Sequence, residues 1–463
     1  MIERESPHGT WSSPRAFVIA VAAAAIGLGN VWRMPYLMGE YGGSAFLLVY
    51  ILVLILVVMP MMVTEMMIGH WGRRSVVRSV RLLSLEAGVH PAWRHLGWLA
   101  LAGAVLVLSY YSVIAGWSMA YLMRAAGGVF RDATPEQVQA VFSGLVGDAE
   151  RSLAWHTVFM VAATILVTHG LRKGIEPATR LFLPTAFLSI LVLMIMVAWS
   201  GQMGTALRWM FTPDFSALGW RGVIEALTQA FFSLSLGMGV VLALSVMLPE
   251  RISFVQLAAR ITLLDTLFAL FAGMAVYGLV FAVTDTPTSG VRLLFVTLPL
   301  ATGSTMSSVG LVMFYLAVVL VAITSAVGLM EPMVQWLMER YEISRVFAAT
   351  STGLLIWFIG LGTLCSFNVL TDLTFWGRDF YEWLALITGQ VLLPLVGVLL
   401  CVFVGRLLPE KLLHQAWADS TPAFYRTWYW CMRYPARIGL IIVLLHATGL
   451  LEALVGLWWP AGL

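Results

Sequence analysis

Two glycine-rich segments and a few polar residues could perform chemistry within an otherwise apolar chain. The segments are Gly27-Leu28-Gly29-Asn30 and Ser235-Leu236-Gly237-Met238-Gly239, and each interrupts a long hydrophobic stretch. A helix that breaks at membrane depth frees carbonyl groups for a cation and N–H groups for an anion. Glycine also lets membrane helices pack closely, which is the simpler explanation for one isolated pair. Two such segments, each beside polar residues, favour a buried binding site.

Polar side chains within the same hydrophobic stretches could line that site. They are Asn30, Gln229, Ser233, Asp265, Thr324 and Ser325. A single serine or threonine in a membrane helix commonly bonds its own backbone. Asp265 differs, because a carboxylate is costly at such depth and is a functional candidate by default. An ion pair is the structural alternative, but the sequence places no basic residue close to Asp265, so a bound cation is the better partner.

Eleven hydrophobic stretches are long enough to cross a bilayer as helices, which takes about 20 residues each. They are predicted at residues 15–39, 43–70, 96–124, 153–170, 178–201, 222–249, 254–283, 307–338, 344–364, 380–406 and 434–459. The composition agrees, with 60% hydrophobic residues, 11% charged residues and a mean hydropathy of +0.89. Because backbone polar groups cannot go unpaired in lipid, we expect an all-α polytopic membrane protein.

The two glycine-rich segments fall in the first and the sixth of these spans. Each therefore opens a group of five helices, which is the pattern expected for two five-helix halves in an inverted repeat. The sequence predicts a single membrane transporter domain over residues 1–463. Its parts are a first repeat at 1–201, a second repeat at 202–406, and a connection with an eleventh helix at 407–463.

Lysine and arginine residues in the connections predict the orientation of the chain. With the N-terminus in the cytoplasm, 19 of the 27 basic residues lie inside, seven lie outside, and Arg33 falls within a span. The N-terminus is therefore expected in the cytoplasm and the C-terminus outside. Nucleic acid is not an expected partner, although the small net charge of +3 says nothing about this by itself. The three cysteines lack the spacing of a zinc site or a disulfide scaffold.

The residues around both breaks belong to an ordered set of motifs. The set comprises residues 27–36 (GLGNVWRMPY), 40–46 (EYGGSAF), 173–176 (KGIE), 212–215 (TPDF), 229–239 (QAFFSLSLGMG), 297–299 (TLP), Thr324-Ser325 and 331–333 (EPM). This set resembles the signature of the neurotransmitter:sodium symporter family over nearly the whole chain. The resemblance implies a LeuT-like 5+5 inverted repeat with broken helices 1 and 6 plus an eleventh helix. It also implies a multi-pass protein of the bacterial cytoplasmic (inner) membrane.

The same resemblance implies two sodium sites built from oxygen atoms. The first uses the carbonyl of Ala25 and the side chains of Asn30, Ser233 and Asp265, with a substrate carboxylate completing the shell. The second uses the carbonyls of Ala23, Ile26 and Val321 and the hydroxyls of Thr324 and Ser325. Oxygen ligands alone suit a hard monovalent cation and not a transition metal.

An amino-acid site beside the first sodium is also implied by the resemblance. The substrate carboxylate is expected on that sodium, on the N–H groups around Leu28 and Gly29, and on the Tyr111 hydroxyl, and the ammonium on carbonyls of the broken helices. The implied substrate-binding residues are Ala25, Gly27, Leu28, Gly29, Val107, Tyr111, Phe232, Ser233, Ser235, Met238, Ser325, Ala326 and Leu329. None is acidic or basic, so a neutral, mostly hydrophobic side chain is expected, although ordinary core packing also explains the apolar members.

Two positions in the seventh span depart from many relatives. Asp265 stands where many members of the family carry asparagine, and Ala269 stands where chloride-dependent members carry a small hydroxyl residue. The negative charge of Asp265 can offset the sodium charge by itself, so we expect that chloride is not required. Alternatively, Asp265 is protonated during part of the cycle and takes part in proton exchange.

The gates of the family are altered in this sequence. At the outer gate, Arg33 and Phe232, which covers the substrate in the family, are present. The acidic partner of Arg33 expected in the tenth span aligns with Ala385. Glu382, one helical turn away, is therefore the candidate partner of Arg33. The inner gate keeps Glu339, with His8 in place of a basic residue. Leu244 and Met247 replace the tyrosines that the family usually carries after the sixth span. Arg4 and Arg15 are the other candidates for the basic residue that is missing near the N-terminus.

The sequence as a whole predicts sodium-coupled symport of neutral L-amino acids into the cell by alternating access. Another small zwitterion or amine, or an amino-acid sensor that does not transport, are the alternatives. A channel would need a continuous polar pore, whereas these polar groups converge on one site. An enzyme would need paired catalytic groups, and the histidines lie mostly at loop edges. The identity of the amino acid, the sodium stoichiometry and the oligomeric state stay open.

Overall fold

The fold was analysed in a computed structural model that describes residues 4–250, 252–284, 286–301, 308–411, 413 and 422–451. Within these residues the regular structure is helical, and the β-pairing is one isolated bridge between Phe375 and Arg378. The principal helices are α1 (Pro14–Ala25), α2 (Leu28–Glu40), α3 (Ser44–Gly72), α4 (Val76–Glu86), α5 (Pro91–Ala126), α6 (Pro135–Val146), α7 (Ala149–Thr168), α8 (Leu171–Trp199), α9 (Met203–Phe211), α10 (Phe215–Ser233), α11 (Val240–Ser245), α12 (Phe254–Val280), α13 (Gly290–Leu300), α14 (Ser308–Tyr341), α15 (Arg345–Ser366), α16 (Phe380–Leu407), α17 (Pro422–Arg433) and α18 (Pro435–Ala447).

The predicted membrane spans correspond to these helices. Eight of them are single helices that are long and apolar enough to cross a membrane, namely α3, α5, α7, α8, α12, α14, α15 and α16. The first span is the bent pair of α1 and α2, whose axes differ by 73°. The sixth span consists of α10 and α11. The predicted eleventh span, 434–459, includes α18, and residues 452–459 of that prediction lie outside the described residues. The prediction of an all-α polytopic membrane protein with broken helices 1 and 6 is confirmed.

The first break lies between α1 and α2. Ile26 and Gly27 are both in extended conformation, which ends α1 after Ala25 and lets a new helix begin at Leu28. The amide oxygen of Asn30 accepts a hydrogen bond from the Gly27 N–H at 3.0 Å, so the break is capped from within. A side chain at Gly27 would lie 3.1 Å from the hydroxyls of both Ser325 and Tyr111. A side chain here would have to displace these hydroxyls by a few tenths of an ångström, so glycine suits the close approach of two polar side chains to the backbone.

The second break covers residues 234–239 between α10 and α11. Three of its residues have positive φ angles, namely Ser235 (52°), Gly237 (76°) and Gly239 (70°). The N–H of Gly237 donates to a carboxylate oxygen of Glu65 at 2.8 Å, and Glu65 is buried in α3. Because a buried backbone N–H needs a partner, this carboxylate compensates for the helical bond that the break removes.

The long helix α14 holds the broken helices in place. It packs against α1, α5 and α8, while α12 packs against α1 and α2. Near its end, the fully buried Glu331 binds Arg345 of α15 through two bonds of 3.0 and 2.5 Å. The same guanidinium donates to the carbonyl of Val167 in α7 at 2.7 Å. A bidentate, buried pair of this kind has a defined geometry. Arg345 therefore links α7, α14 and α15 at one position.

Replacement of Gly237 by alanine should destabilise the protein. The new methyl group would lie 3.0 Å from the carbonyl oxygen of Leu393 at a positive φ angle, and such strain costs about 1–3 kcal/mol. We expect a lower thermal midpoint in detergent for Gly237→Ala. Gly144→Ala is the matched control, because nothing lies within 4 Å of the added methyl group and its helix α6 tolerates alanine well. An equal midpoint for both variants would contradict the strained break.

Candidate functional site

Three helices bring Asn30, Ser233 and Asp265 into one buried cluster. The Asn30 amide nitrogen donates to Asp265 Oδ1 at 2.8 Å and to the Ser233 hydroxyl at 3.1 Å. The Ser233 hydroxyl in turn donates to Asp265 Oδ2 at 2.8 Å. Asp265 is fully buried, and among the described residues no lysine, arginine or histidine forms an ion pair with it. A buried carboxylate surrounded by neutral groups provides uncompensated negative charge for a cation.

A second polar group lies between α1 and α14. The Ser325 hydroxyl donates to the carbonyl of Ile26 at 2.8 Å, which joins the first break to α14. The Thr324 hydroxyl donates to the carbonyl of Val321 at 3.0 Å within its own helix. Ala23 is buried one turn before the break. The predicted ligands of the second site thus lie on two adjoining helices, although the Thr324 bond is also what an isolated threonine in a membrane helix makes.

A small cavity of about 40 Å³ lies between the two breaks. Its walls are Ala24, Ala25, Gly27, Leu28, Gly29, Asn30, Val107, Tyr111, Gln229, Phe232, Ser233, Ser235, Met238, Ser325 and Leu329. The structure therefore brings together every predicted substrate-binding residue except Ala326, which is buried in α14 without lining the cavity. The walls carry no aspartate, glutamate, lysine or arginine.

Two polar atoms in the cavity wall are unpaired. The hydroxyl of Tyr111 and the amide nitrogen of Gln229 are both buried, and neither has a hydrogen-bond partner among the described residues. Buried polar groups in proteins are nearly always paired, so each exception needs an explanation. Both groups can donate a hydrogen bond, and a ligand with acceptor oxygens would satisfy them. The sequence identified Tyr111 as a substrate-binding residue, whereas Gln229 was placed among the buried polar residues without a specific role in binding the substrate.

A larger cavity of about 710 Å³ adjoins the small one. Leu28, Gly29, Tyr111 and Phe232 line both cavities. The larger cavity extends to Gly377, Arg378 and Glu382 around the start of α16, on the face that the sequence predicts to lie outside the cell. We call it the vestibule. The half-buried Phe232 thus lies where the vestibule meets the binding cavity.

The vestibule shows a different partner for Arg33 than the sequence suggested. Arg33 binds the carboxylate of Glu225 at 3.1 Å and the amide oxygen of Gln229 at 3.1 Å. The predicted partner, Glu382, instead caps α16 by accepting a bond from the Asp379 N–H at 3.2 Å. Glu225 precedes Gln229 by four residues, so both side chains lie on one face of α10. The spacing of four residues between Glu225 and Gln229 was the feature of the sequence that could have identified Glu225 as a partner of Arg33.

Contacts on the opposite face join the N-terminal segment to α4 and α14. His8 Nε2 lies 2.9 Å from a carboxylate oxygen of Glu339, and both side chains are buried. Glu339 also accepts bonds from the Ser75 N–H and hydroxyl at 2.7 Å each, and Arg78 lies 3.6 Å from it. His8 itself therefore occupies the position of the missing cation.

The remaining inner-gate candidates have other contacts. Arg4 pairs with Glu86 and not with Glu339, while Arg15 is exposed. The indole N–H of Trp11 donates to the carbonyl of Leu244 at 2.9 Å, and its backbone N–H donates to Met247 at 2.9 Å. Leu244 and Met247 thus contribute their backbone carbonyl groups to these contacts. A residue of any type at these two positions would provide the same carbonyl groups. This face is closed by hydrogen bonds, while the vestibule face is open.

Comparisons with known proteins show the family to which this chain belongs. The sodium:neurotransmitter symporter family matches residues 8–130 and 143–452. The sodium-dependent transporter YhdH of Bacillus subtilis is 31% identical over 96% of this chain and 98% of its own length. A sodium-dependent transporter of Haemophilus influenzae is 26% identical over 96% of this chain and 99% of its own length.

A solved structure extends the similarity to the fold. The crystal structure of MhsT in complex with L-phenylalanine superimposes with a TM-score of 0.85 at 32% identity, over 96% of this chain and all of MhsT. Proteins this similar in sequence and structure share their architecture, so the LeuT-like arrangement expected from the motifs is confirmed. The chain belongs to the sodium:neurotransmitter symporter family and is a sodium-dependent, multi-pass membrane transporter, not an enzyme.

Proposed function

We propose that this transporter couples sodium entry to the uptake of a neutral, hydrophobic L-amino acid by alternating access. The observation that carries the proposal is the joint position of two features in one cavity. Asn30 and Ser233 of the Asp265 cluster line the same cavity as the unpaired donors of Tyr111 and Gln229. A cation on one side and hydrogen-bond donors on the other are what a carboxylate requires.

Coupling follows from this arrangement if the substrate carboxylate is itself a ligand of the first sodium ion. Each ligand then stabilises the binding of the other by the same free energy. The start of α2 at Leu28 adds backbone N–H groups and a positive helix end, which favour an anion at the same place. A second sodium would lie between Ile26, Val321, Thr324 and Ser325 and would fix α1 against α14.

The walls of the cavity support a neutral, hydrophobic side chain. Val107, Phe232, Met238 and Leu329 are apolar, and a charged side chain would find no partner among the walls. MhsT, which is similar over nearly the whole chain, was solved with L-phenylalanine. Met238 at the second break is flexible and can accommodate side chains of more than one size.

The two faces would act as gates in turn. In this arrangement the His8–Glu339 contact holds the inner face closed, and the vestibule leaves the outer face open. Closure of the outer face would bring Phe232 and Arg33 over the bound substrate, with Glu225 as the acid that positions Arg33. The proposed location is the bacterial cytoplasmic membrane with the N-terminus inside and the C-terminus outside, as the basic residues predict.

A thermal-shift screen of the twenty amino acids with and without sodium tests the proposal. Ligand binding to the folded state raises the thermal midpoint according to ligand concentration and affinity. Neutral, hydrophobic L-amino acids should raise it only when sodium is present. Uptake of the best ligand into proteoliposomes under a sodium gradient then distinguishes a transporter from a sensor that only binds. Stabilisation by betaine or simple amines alone would indicate another small zwitterion or amine as the substrate.

Tyr111→Phe should weaken amino-acid binding without destabilising the free protein. Among the described residues the hydroxyl makes no direct hydrogen bond, although it faces Ser325 and the Leu28 N–H, so its removal costs little internal bonding. A bond from this hydroxyl to a charged carboxylate contributes about 1.5–3 kcal/mol, so affinity should fall more than about tenfold. Tyr315→Phe is the contrasting control, because that hydroxyl donates to Leu294 at 2.6 Å and its loss should lower stability. Unchanged affinity of Tyr111→Phe would contradict the carboxylate site.

Asp265→Asn should reduce sodium affinity by more than about tenfold, because the loss of one buried charged partner costs about 2–5 kcal/mol. Sodium-dependent uptake measured over a range of sodium concentrations tests this expectation. Asp372→Asn is the matched control, since Asp372 is exposed and lies in the connection before α16.

Uptake by the wild type should be equal in chloride and in gluconate. A steep chloride requirement would contradict the role of Asp265 as the compensating charge.

Glu225→Gln should slow uptake by up to about fivefold, the equivalent of the 0.2–1 kcal/mol that a partly exposed ion pair contributes. The side chains of Arg33 and Glu225 are 36% and 32% exposed, so the thermal midpoint should hardly change. Glu382→Gln is the comparison variant and should leave the rate of uptake near that of the wild type. A slower rate for Glu382→Gln, with normal uptake by Glu225→Gln, would restore Glu382 as the gate partner.

A further inference from the structure

An apolar groove lies between α7 and α15 on the lateral surface of the helix bundle, away from the binding cavity. Its volume is about 280 Å³. The lining residues are Thr157, Met160, Val161, Thr164 and Ile165 of α7 and Thr350, Gly353, Leu354 and Trp357 of α15. The indole N–H of Trp357 donates to the Thr157 hydroxyl at 2.9 Å, and this hydroxyl donates to Leu153 at 2.8 Å. The polar atoms at this end of the groove are therefore already paired.

The groove faces the hydrocarbon of the membrane. Val161 and Ile165 are each 51% exposed and Leu354 is 60% exposed, and both helices belong to the candidate membrane spans. Gly353 lies so close to α7 that a side chain there would be 2.4 Å from the Thr164 hydroxyl. The two helices thus touch at Gly353 and leave an indentation beside the contact. In a bilayer, an apolar indentation of this kind is filled by hydrocarbon.

Basic residues follow directly at one end of the groove. A ring nitrogen of His169 bonds the carbonyl of the groove residue Ile165 at 2.7 Å. A side chain at Gly174 would lie 2.2 Å from the carbonyl of Leu166, so the segment with Arg172 and Lys173 lies against the last turn of α7. Both basic side chains are exposed. Arg172 lies 3.8 Å from Glu176, whereas Lys173 has no ion pair among the described residues.

We propose that this groove binds an anionic phospholipid, with one acyl chain between α7 and α15 and the phosphate at Lys173 and Arg172. The apolar walls match an acyl chain, and the basic residues lie at the end where a headgroup would emerge. The charge distribution places this end in the cytoplasmic leaflet. Basic residues beside a membrane span attract anionic headgroups there. The groove is separate from the ion and amino-acid sites, so the proposal does not depend on which substrate is carried.

Native mass spectrometry of the full-length protein tests the proposal. The protein is equilibrated in mixed micelles with equal amounts of dioleoyl phosphatidylglycerol and dioleoyl phosphatidylcholine, and the retained lipids are counted. We expect preferential retention of phosphatidylglycerol. Lys173→Gln should reduce that preference by about fivefold, the effect of one basic residue at an anionic surface. Arg151→Gln is the matched control, because Arg151 is exposed at the other end of α7 and pairs with Asp148 at 2.9 Å.

Filling the groove provides the second arm of the experiment. Leu354→Trp and Val161→Trp should each reduce the retention of phosphatidylglycerol, whereas Leu191→Trp, at a 45% exposed position of α8 outside the groove, should not. The thermal midpoint of each variant without added ligand, compared with that of the wild type, confirms that the variant is folded. Equal retention of both lipids by the wild type would overturn the proposal. So would unchanged retention in both tryptophan variants, or a dimer that these variants dissociate, since a second copy would then occupy the groove.

Discussion

The structure depends on one constraint, which is that a helix broken inside a membrane must find partners for its freed backbone groups. Water is absent at that depth, so the protein itself has to supply them. Asn30 caps the first break by accepting from Gly27, and Ser325 donates to the carbonyl of Ile26. Glu65 accepts from Gly237 at the second break. Each partner comes from a different helix or turn, and this places polar side chains around the breaks.

The same constraint explains why the site carries negative charge. The partners that satisfy the backbone are neutral at the first break, and Asp265 adds a carboxylate bonded only by Asn30 and Ser233 among the described residues. Two neutral donors stabilise a buried carboxylate less than a cation does. The cost of keeping Asp265 buried would fall when sodium binds, and a substrate carboxylate would then become tolerable beside it. If sodium binds at this cluster as proposed, sodium dependence follows from the burial of both anions, because each would be unstable there without the cation.

Much of this arrangement could be predicted from the sequence, because the breaks are marked by glycine and the buried polar residues interrupt apolar runs. Asn30, Ser233 and Asp265 come together as expected. The partners across helices could not be predicted in the same way. Glu65 is a carboxylate inside a predicted span, like Asp265, but its partner is known only once the second break is seen beside it. Glu225 was missed because the family resemblance placed the acidic partner of Arg33 in the tenth span. Pair contacts depend on helix rotation, which spacing along the chain leaves undefined.

The two faces also differ in the strength of their contacts, and this bears on the direction of the cycle. Arg33 and Glu225 are about one third exposed, so their interaction is weak and readily rearranged. His8 and Glu339 are nearly fully buried, and Glu339 gains two further bonds from Ser75. Opening the inner face would separate these buried groups and expose them, which costs more than moving a surface pair. An empty transporter would therefore rest with its vestibule open, and binding at the broken helices would have to supply the free energy for closure of the vestibule and release of the contacts on the opposite face.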